Sequence, residues 1–224
     1  LASIDDATGK ITKAEFSLNE GVIAVFNFWK GYVLNIGKPL NIYLDKFSTY
    51  KINHKSAVDN QELMTQFQRV MLDLQVNLIS AHSPEAKGRV ERLFQTLQDR
   101  LVKEMRLFNI NTPAEGNIFL KEVFLPKFNN KFTVAPAKEG NVHKSLTDTD
   151  KRNLNCIFSV QSKRKVNNDF TIQFENKWYQ LTELQSATVR ARDRILVEKW
   201  LNGTLHFSLR KKYLNYIVLP ERPK

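Results

Sequence analysis

The sequence predicts an α/β layer fold followed by a small, basic, strand-rich unit, and three observations carry that prediction. Strand-like and helix-like hydrophobic patterns alternate over residues 1–132, the periodicity is lost over residues 133–153, and short alternating runs return over residues 154–224. Charge divides the same way: residues 1–150 hold 19 Lys/Arg against 17 Asp/Glu, whereas residues 151–224 hold 15 against 6. The predicted organisation is therefore an α/β core, a linker and a basic β-barrel that binds a polyanion.

Taken in order, residues 1–4 form a first strand, Asp5-Asp6-Ala7-Thr8-Gly9-Lys10 carry turn chemistry, and Ile11 to Phe16 alternate as a second strand, giving a hairpin. A helix opens near Asn19 and Glu20 on Val22, Ile23, Phe26, Trp29, Val33 and Leu34, and closes near Gly37 with Pro39 beyond. Pro39 to Leu44 then deliver Asp45 at the end of a strand. Residues 46–60 read as a loop. Leu63, Phe67, Val70, Met71 and Leu74 make a second helical stripe, and Asn77 to Ser80 a short strand. Ser83 and Pro84 supply a cap and a first helical position for a helix running through Val90, Leu93, Phe94, Leu97, Leu101 and Met105. Thr112-Pro113 begin another, with Ile118, Leu120, Val123, Phe124 and Phe128 as its buried candidates. Beyond the linker, residues 170–174, 178–181, 194–197 and 205–207 are strand-like, and Asn202-Gly203 is a hairpin turn signal.

Composition narrows the function. At 224 residues with 42% hydrophobic and 11% aromatic content the chain can fill real cores. Neither a membrane-spanning run nor an export signal is present, and a single cysteine, Cys156, excludes an internal disulfide, which points to a reducing cytoplasm. The net charge of +11 favours nucleic acid over a membrane surface, because the basic region reads as strands rather than as an amphipathic helix.

Chemistry concentrates at Asp45 and in Ser83-Pro84-Glu85-Ala86-Lys87-Gly88-Arg89-Val90-Glu91-Arg92. One carboxylate ends a strand and the other lies in the first turns of a helix among cations, a pairing suited to divalent metal and a phosphodiester. Each has a plainer role in isolation: Asp45 as a strand-end turn cap, Glu91 as a solvated partner of a cation such as Lys87. Lys87, Arg89 and Arg92 read equally as a solvated helix face or as contacts to a phosphate backbone. Gly88 would allow close approach of a phosphate. His54, His82, His143 and His206 lack metal-ligand spacing. In the basic unit, Lys163, Arg164 and Lys165, then Arg190, Arg192 and Arg194, then Arg210, Lys211 and Lys212 form clusters. Arg190, Arg192 and Arg194 on one strand would project to one face as a phosphate-binding stripe. Trp178, Tyr179 and Trp200 read as barrel core in preference to base-stacking platforms.

Tyr43-Leu44-Asp45 followed by Ser83-Pro84-x-Ala86-x-Gly88-Arg89-Val90-Glu91-Arg92 resembles the second and third acids of the DDE transposases and retroviral-type integrases. Within that superfamily the chain looks most like ISNCY-type bacterial insertion-sequence transposases, whose pattern is also matched by Ile4-Asp5-Asp6-Ala7-Thr8-Gly9, Gln66-Phe67 and residues 94–101. The resemblance implies a ribonuclease H-like core followed by an SH3-like β-barrel, and metal-dependent DNA cleavage and strand transfer with two Mg²⁺ or Mn²⁺ ions held by Asp45 and Glu91. It further implies transposon ends and target DNA as partners, a homo-oligomer on DNA, and a bacterial cytoplasmic protein associated with the nucleoid when DNA-bound. Such a core places three strands before its first helix and this chain shows two, so the resemblance puts the first aspartate upstream of Leu1, with Asp6 as the alternative. An inactive DNA-binding fragment and a ribonuclease H-like nuclease are the competing readings.

Overall fold

A computed structural model describes residues 1–45, 66–81 and 84–222 as a mixed α/β protein built from several small sheets. It divides into two compact units, Leu1–Lys151 and Arg152–Lys224. Among the described residues no helix is long and apolar enough to cross a membrane.

In the first unit, β1 (Ala2–Ile4) and β2 (Ile11–Ala14) form the expected antiparallel hairpin. Its turn is held by Asp5, whose carboxylate accepts from the Thr8 amide and hydroxyl. Helix α1 (Val22–Asn35) follows, burying Phe26, Phe28, Tyr32 and Val33. Ile23 and Leu34, two of the apolar positions on which the helix was predicted, are exposed, because the helix buries a narrower stripe than its apolar content allows. Strand β3 (Asn41–Asp45) pairs in parallel with β4 (Asn77–Ala81), and helical residues 66–73, here α2, lie between them in sequence. Phe67, Val70, Met71 and Leu74 are buried, and Trp29 of α1 meets the Phe67 ring at 5.8 Å. The expected loop at residues 46–60, together with Leu63 and the Ser83 cap, lies outside the described residues.

Helix α3 comprises Pro84–Thr96, a π turn at Leu97–Leu101 and Val102–Leu107. In an α-helix a four-residue step drifts by about 40° around the axis, and the wider π turn offsets that drift. Leu93, Leu97 and Leu101 thereby stay in one core with Ile11, Phe119, Leu120 and Phe124. Helix α4 is equally composite, with Pro113–Phe119, a π turn at Leu120–Phe124 and Leu125–Phe132. Thr112 and Glu115 close a reciprocal capping box at its start.

Two asparagines of α4 take the place of a neighbouring strand along β2. Asn129 accepts from the Ile11 amide at 2.9 Å and donates to the Ile11 carbonyl at 3.0 Å. Asn117 does the same for Phe16, at 2.6 and 3.1 Å. The spacings match, since twelve helical residues rise about 18 Å and five extended residues about 17 Å. Gly116 permits the close approach: a Cβ there would come within 2.9 Å of the Phe16 ring.

The sequence read as a linker at residues 133–153 is lashed to α1 near its end. Lys38 and Lys144 exchange backbone hydrogen bonds, the Tyr32 hydroxyl meets His143 Nε2 at 2.8 Å, and Lys38 pairs with Asp150 at 2.6 Å. Gly37 adopts φ +110°, and a Cβ there would sit 3.0 Å from the Lys144 carbonyl oxygen. Thr147 and Asp150 bond each other's backbone amides, capping helix α5 (Asp148–Ile157) inside the span expected to be irregular.

In the second unit, β5 (Val160–Lys165), β8 (Arg194–Lys199), β9 (Leu205–Leu209) and β10 (Lys212–Tyr213) form one antiparallel sheet, in the order β10-β9-β8-β5. Strands β6 (Thr171–Phe174), β7 (Lys177–Leu181) and β11 (Tyr216–Leu219) form another, in the order β11-β7-β6. Both contribute to a single core that includes Val166, Ile172, Tyr179, Ile195, Val197 and Phe207. The expected barrel is not closed among the described residues, because β5 bonds only β8 and β6 bonds only β7. The chain changes sheet three times, at Val166–Phe170, over residues 182–193 and at Leu214–Asn215. Asn202-Gly203 makes the predicted turn between β8 and β9, with Gly203 at φ +83°. Of the three aromatics expected in this core, Tyr179 is buried there, whereas Trp178 and Trp200 are half-buried and outside it.

Asn129→Ala removes both partners of the Ile11 backbone, so unfolding free energy should fall by about 2 kcal/mol; a urea melt with an unchanged midpoint would contradict the strand-substitute role. Lys38→Met leaves the largely buried Asp150 carboxylate without its cation, at an expected cost of about 3 kcal/mol. Burial by itself raises the Asp150 pKa, but hydrogen bonds from Lys38 and Thr147 prevail and hold it below the ordinary range. A depressed folded pKa contributes stability above the unfolded value that is lost as pH falls through the folded one. The gap between wild type and Lys38→Met should therefore narrow in acid, as chemical melts across the carboxylate range will show.

Candidate active site

Parallel pairing sets the geometry of the candidate site. In the β3–β4 register Asn41 lies opposite Asn77 and Asp45 opposite Ala81, so both strands end level. Helix α3 begins at Pro84, three residues past the end of β4. Ligand sites of α/β sheets gather at this carboxyl edge, where chain leaves the strands and side chains are freed from sheet packing. Asp45 is the last residue of β3, and Glu91 lies two turns into α3, about 10 Å along its axis. The backbone thus puts Asp45 at the end of β3, level with the end of β4, and the helix that carries Glu91 follows β4 after residues 82 and 83.

Glu91 and Arg92 are exposed on α3. The Arg92 guanidinium folds back along the helix, Nε donating to the Gly88 carbonyl at 2.9 Å, which directs its charge toward the helix start. Gly88 leaves room for that return: a Cβ there would be 3.4 Å from Arg92 Nη2. The side chains of Asp45, Lys87 and Arg89 lie outside the described residues, as do His54 and His82. Asp6 sits on the exposed β1–β2 turn, where its neighbour Asp5 is engaged with Thr8. Among the described residues no group of three or more His, Cys, Asp or Glu could hold a metal ion. The donor set of Asp45 and Glu91 is carboxylate oxygen, which fits a hard divalent cation such as Mg²⁺ or Mn²⁺.

The cationic residues of the second unit fall into two arrangements. Lys163, Arg164 and Lys165 are exposed on β5, with Lys165 directly opposite Arg194 of β8 and Arg164 stacked over the Phe174 ring at 5.3 Å. Arg190 and Arg192, expected on a strand with Arg194, are instead in a turn. The Asp193 carboxylate accepts from the Arg190 amide at 2.9 Å, and Arg192 takes φ +72°. An aspartate directly before the strand converts its predicted start into a side-chain-capped turn, so the three-arginine stripe does not form. The cross-strand pair Lys165 and Arg194, with Lys163 on the same side of the sheet, is the stripe that does.

A carboxylate that sequence reasoning passed over lies on the same sheet. Glu198 is 2% exposed and accepts from Ser208 Oγ at 3.1 Å, Tyr213 Oη at 3.2 Å and Trp200 Nε1 at 3.3 Å. Its only sequence signal is an acid directly after an apolar run, Ile195-Leu196-Val197-Glu198.

No family model matches the chain. It is 36% identical over 183 residues, 82% of its length, to a Sinorhizobium fredii protein named "Putative transposase y4bF". Over 213 residues, 94% of its length, it is 32% identical to the transposase for insertion sequence IS1202 of Streptococcus pneumoniae. The chain spans 39% and 44% of the lengths of these two relatives.

Proposed function

For a chain homologous to bacterial insertion-sequence transposases, we propose the catalytic region of a DDE-type polynucleotidyl transferase with an attached DNA-binding unit. The observation that carries this reading is the level ending of β3 and β4, which puts the backbone of Asp45 beside the strand from which the Glu91 helix departs. Asp45 and Glu91 would hold Mg²⁺ or Mn²⁺, two ions when a third acid is supplied, and the metal would neutralise charge at the scissile phosphate and favour ionisation of the attacking hydroxyl. Arg92, Arg89 and Lys87 bind and orient the phosphate backbone along α3. Lys163, Lys165, Arg194 and the neighbouring Arg164, Arg190 and Arg192 add sequence-independent, salt-sensitive affinity for transposon ends and target. The full-length protein would act as a homo-oligomer on DNA.

In this reading the first unit is ribonuclease H-like and the second SH3-like. Supporting the former, β1 and β3 each pair on one side only among the described residues, with β2 and β4 respectively. A further strand carrying the first acid would be accommodated on those free edges, with Asp6 as the alternative first acid.

The test is Mg²⁺- or Mn²⁺-dependent joining of 3′-hydroxyl donor ends to a target plasmid, by this chain and by one extended upstream with the corresponding segment of the full-length protein. Glu91→Gln and Asp45→Asn should each lower joining by at least about 100-fold, with Ca²⁺-supported DNA binding kept within a few-fold. Activity confined to the extended chain assigns the first acid upstream, and activity of the shorter chain abolished by Asp6→Asn assigns it there. Nicking without joined product means a nuclease. DNA binding with no chemistry in either form would overturn the enzyme reading.

A further inference from the structure

The second unit carries a feature that phosphate contacts do not use. On the face of the four-stranded sheet opposite its core, Trp200 and His206 stack with centroids 3.8 Å apart and planes 26° apart, and Tyr213 stands edge-on to His206 at 5.6 Å. All three are outside the hydrophobic core, and Tyr213 is 44% exposed. The rings are fixed rather than loosely packed: buried Glu198 accepts from Trp200 Nε1 and Tyr213 Oη together, while His206 Nε2 meets Thr204 Oγ1 at 3.1 Å. Burial lowers the His206 pKa against the opposing charge of Glu198, which favours the neutral imidazole in the stack. A buried carboxylate spent on orienting half-exposed aromatic rings is a costly way to fill space and an effective way to hold a flat surface in place.

A second observation adjoins it. Strands β9 and β10 are joined by Arg210 and Lys211 alone, with Leu209 opposite Lys212, and both loop residues have positive φ, +51° and +65°. Two-residue hairpin loops of this kind favour Asn-Gly, because other residues are strained there. Here both positions are cations, exposed at the tip two residues before Tyr213. Strain kept at an exposed basic tip beside fixed rings points to a polyanion with accessible bases.

We propose that this sheet face is a stacking platform for unpaired bases of single-stranded DNA, with Tyr213 and Trp200 as the ring surfaces and Arg210 and Lys211 on adjoining phosphates. The proposal rests on the DNA-binding role given to this unit above and names the form of DNA that it takes. Stacking is tolerant of sequence and requires a base that is free of its partner, whereas phosphate contacts serve duplex and single strand alike.

Fluorescence anisotropy of the full chain with labelled oligothymidylate, and with a duplex of equal length, tests this across a salt series. Tyr213→Leu and Trp200→Leu should each weaken single-strand binding roughly tenfold, leave duplex binding within about twofold and leave the salt dependence unchanged. Tyr213→Phe, which keeps the ring, should retain most of the affinity, and this pair decides the matter if the Trp200 variant melts early. Replacing Arg210 and Lys211 by Asn and Gly should raise the melting temperature by roughly 2–5 °C and reduce both affinities with a shallower salt dependence. Equal losses on both DNAs, no loss from either ring variant, or no single-strand binding at all would overturn the platform. Strand joining by a protein indifferent to these rings sinks the platform alone, whereas ring-dependent binding without strand joining sinks only the enzymatic reading.

Discussion

The parallel register of β3 and β4 is the constraint on which the rest of the first unit depends. Two strands that end level, Asp45 against Ala81, define an edge, and the helix departing from that edge carries the second acid. Parallel strands cannot be joined by a tight turn, and helical residues 66–73 lie between these two in sequence. A one-residue slip in that pairing would turn every side chain of β3 to the other face of the sheet. The apolar residues of β3 and α2 therefore do more than fill a core: they keep a carboxylate at one end of a strand.

Elsewhere in the first unit the fold relies on side chains where a larger sheet would use backbone. Asn117 and Asn129 bond both backbone groups of Phe16 and Ile11, giving β2 a second neighbour made of two amides on a helix. The π turns in α3 and α4 keep Leu93, Leu97 and Leu101 facing Phe119, Leu120 and Phe124 over a length at which a regular helix would have rotated away. Near the other end of α1, Lys38, Asp150, Tyr32 and His143 fasten the segment that precedes α5. The second unit repeats the strategy with Glu198, one buried acceptor serving three neutral donors.

Much of this was legible from the sequence wherever local pattern and tertiary demand agree. The hairpin at Asp5 to Lys10, the stripe Phe67, Val70, Met71 and Leu74, the helix starts at Pro84 and Thr112, and the turn at Asn202-Gly203 all follow from short-range chemistry that the fold leaves unchanged. Illegible features depend on partners distant in sequence. Nothing local distinguishes Asn129 from any helical asparagine, since its partner Ile11 is 118 residues away. Residues 133–153 were read as irregular because composition outweighed a short cap, although Thr147-x-x-Asp150 is a start signal. Arg190 and Arg192 looked like strand residues until Asp193 captured the Arg190 amide. Trp200 was read as core because indoles are usually buried, and only the pairing of β8 with β9 shows it facing Glu198 and His206. For the acids, sequence spacing supplied the residues, and strand register supplied the level ending of β3 and β4 at Asp45 and Ala81.

The central claim is that residues 45 and 91 share a cation at the end of β3 and β4. Localised backbone cleavage tests it most directly: Fe²⁺ bound in place of Mg²⁺, with ascorbate and peroxide, releases hydroxyl radicals that cut only the chain close to the metal. The account predicts two cuts in the same molecule, one beside Asp45 and one beside Glu91, both suppressed by excess Mg²⁺ and both lost in Glu91→Gln. A cut at one position without the other, or cleavage indifferent to Mg²⁺, would contradict it.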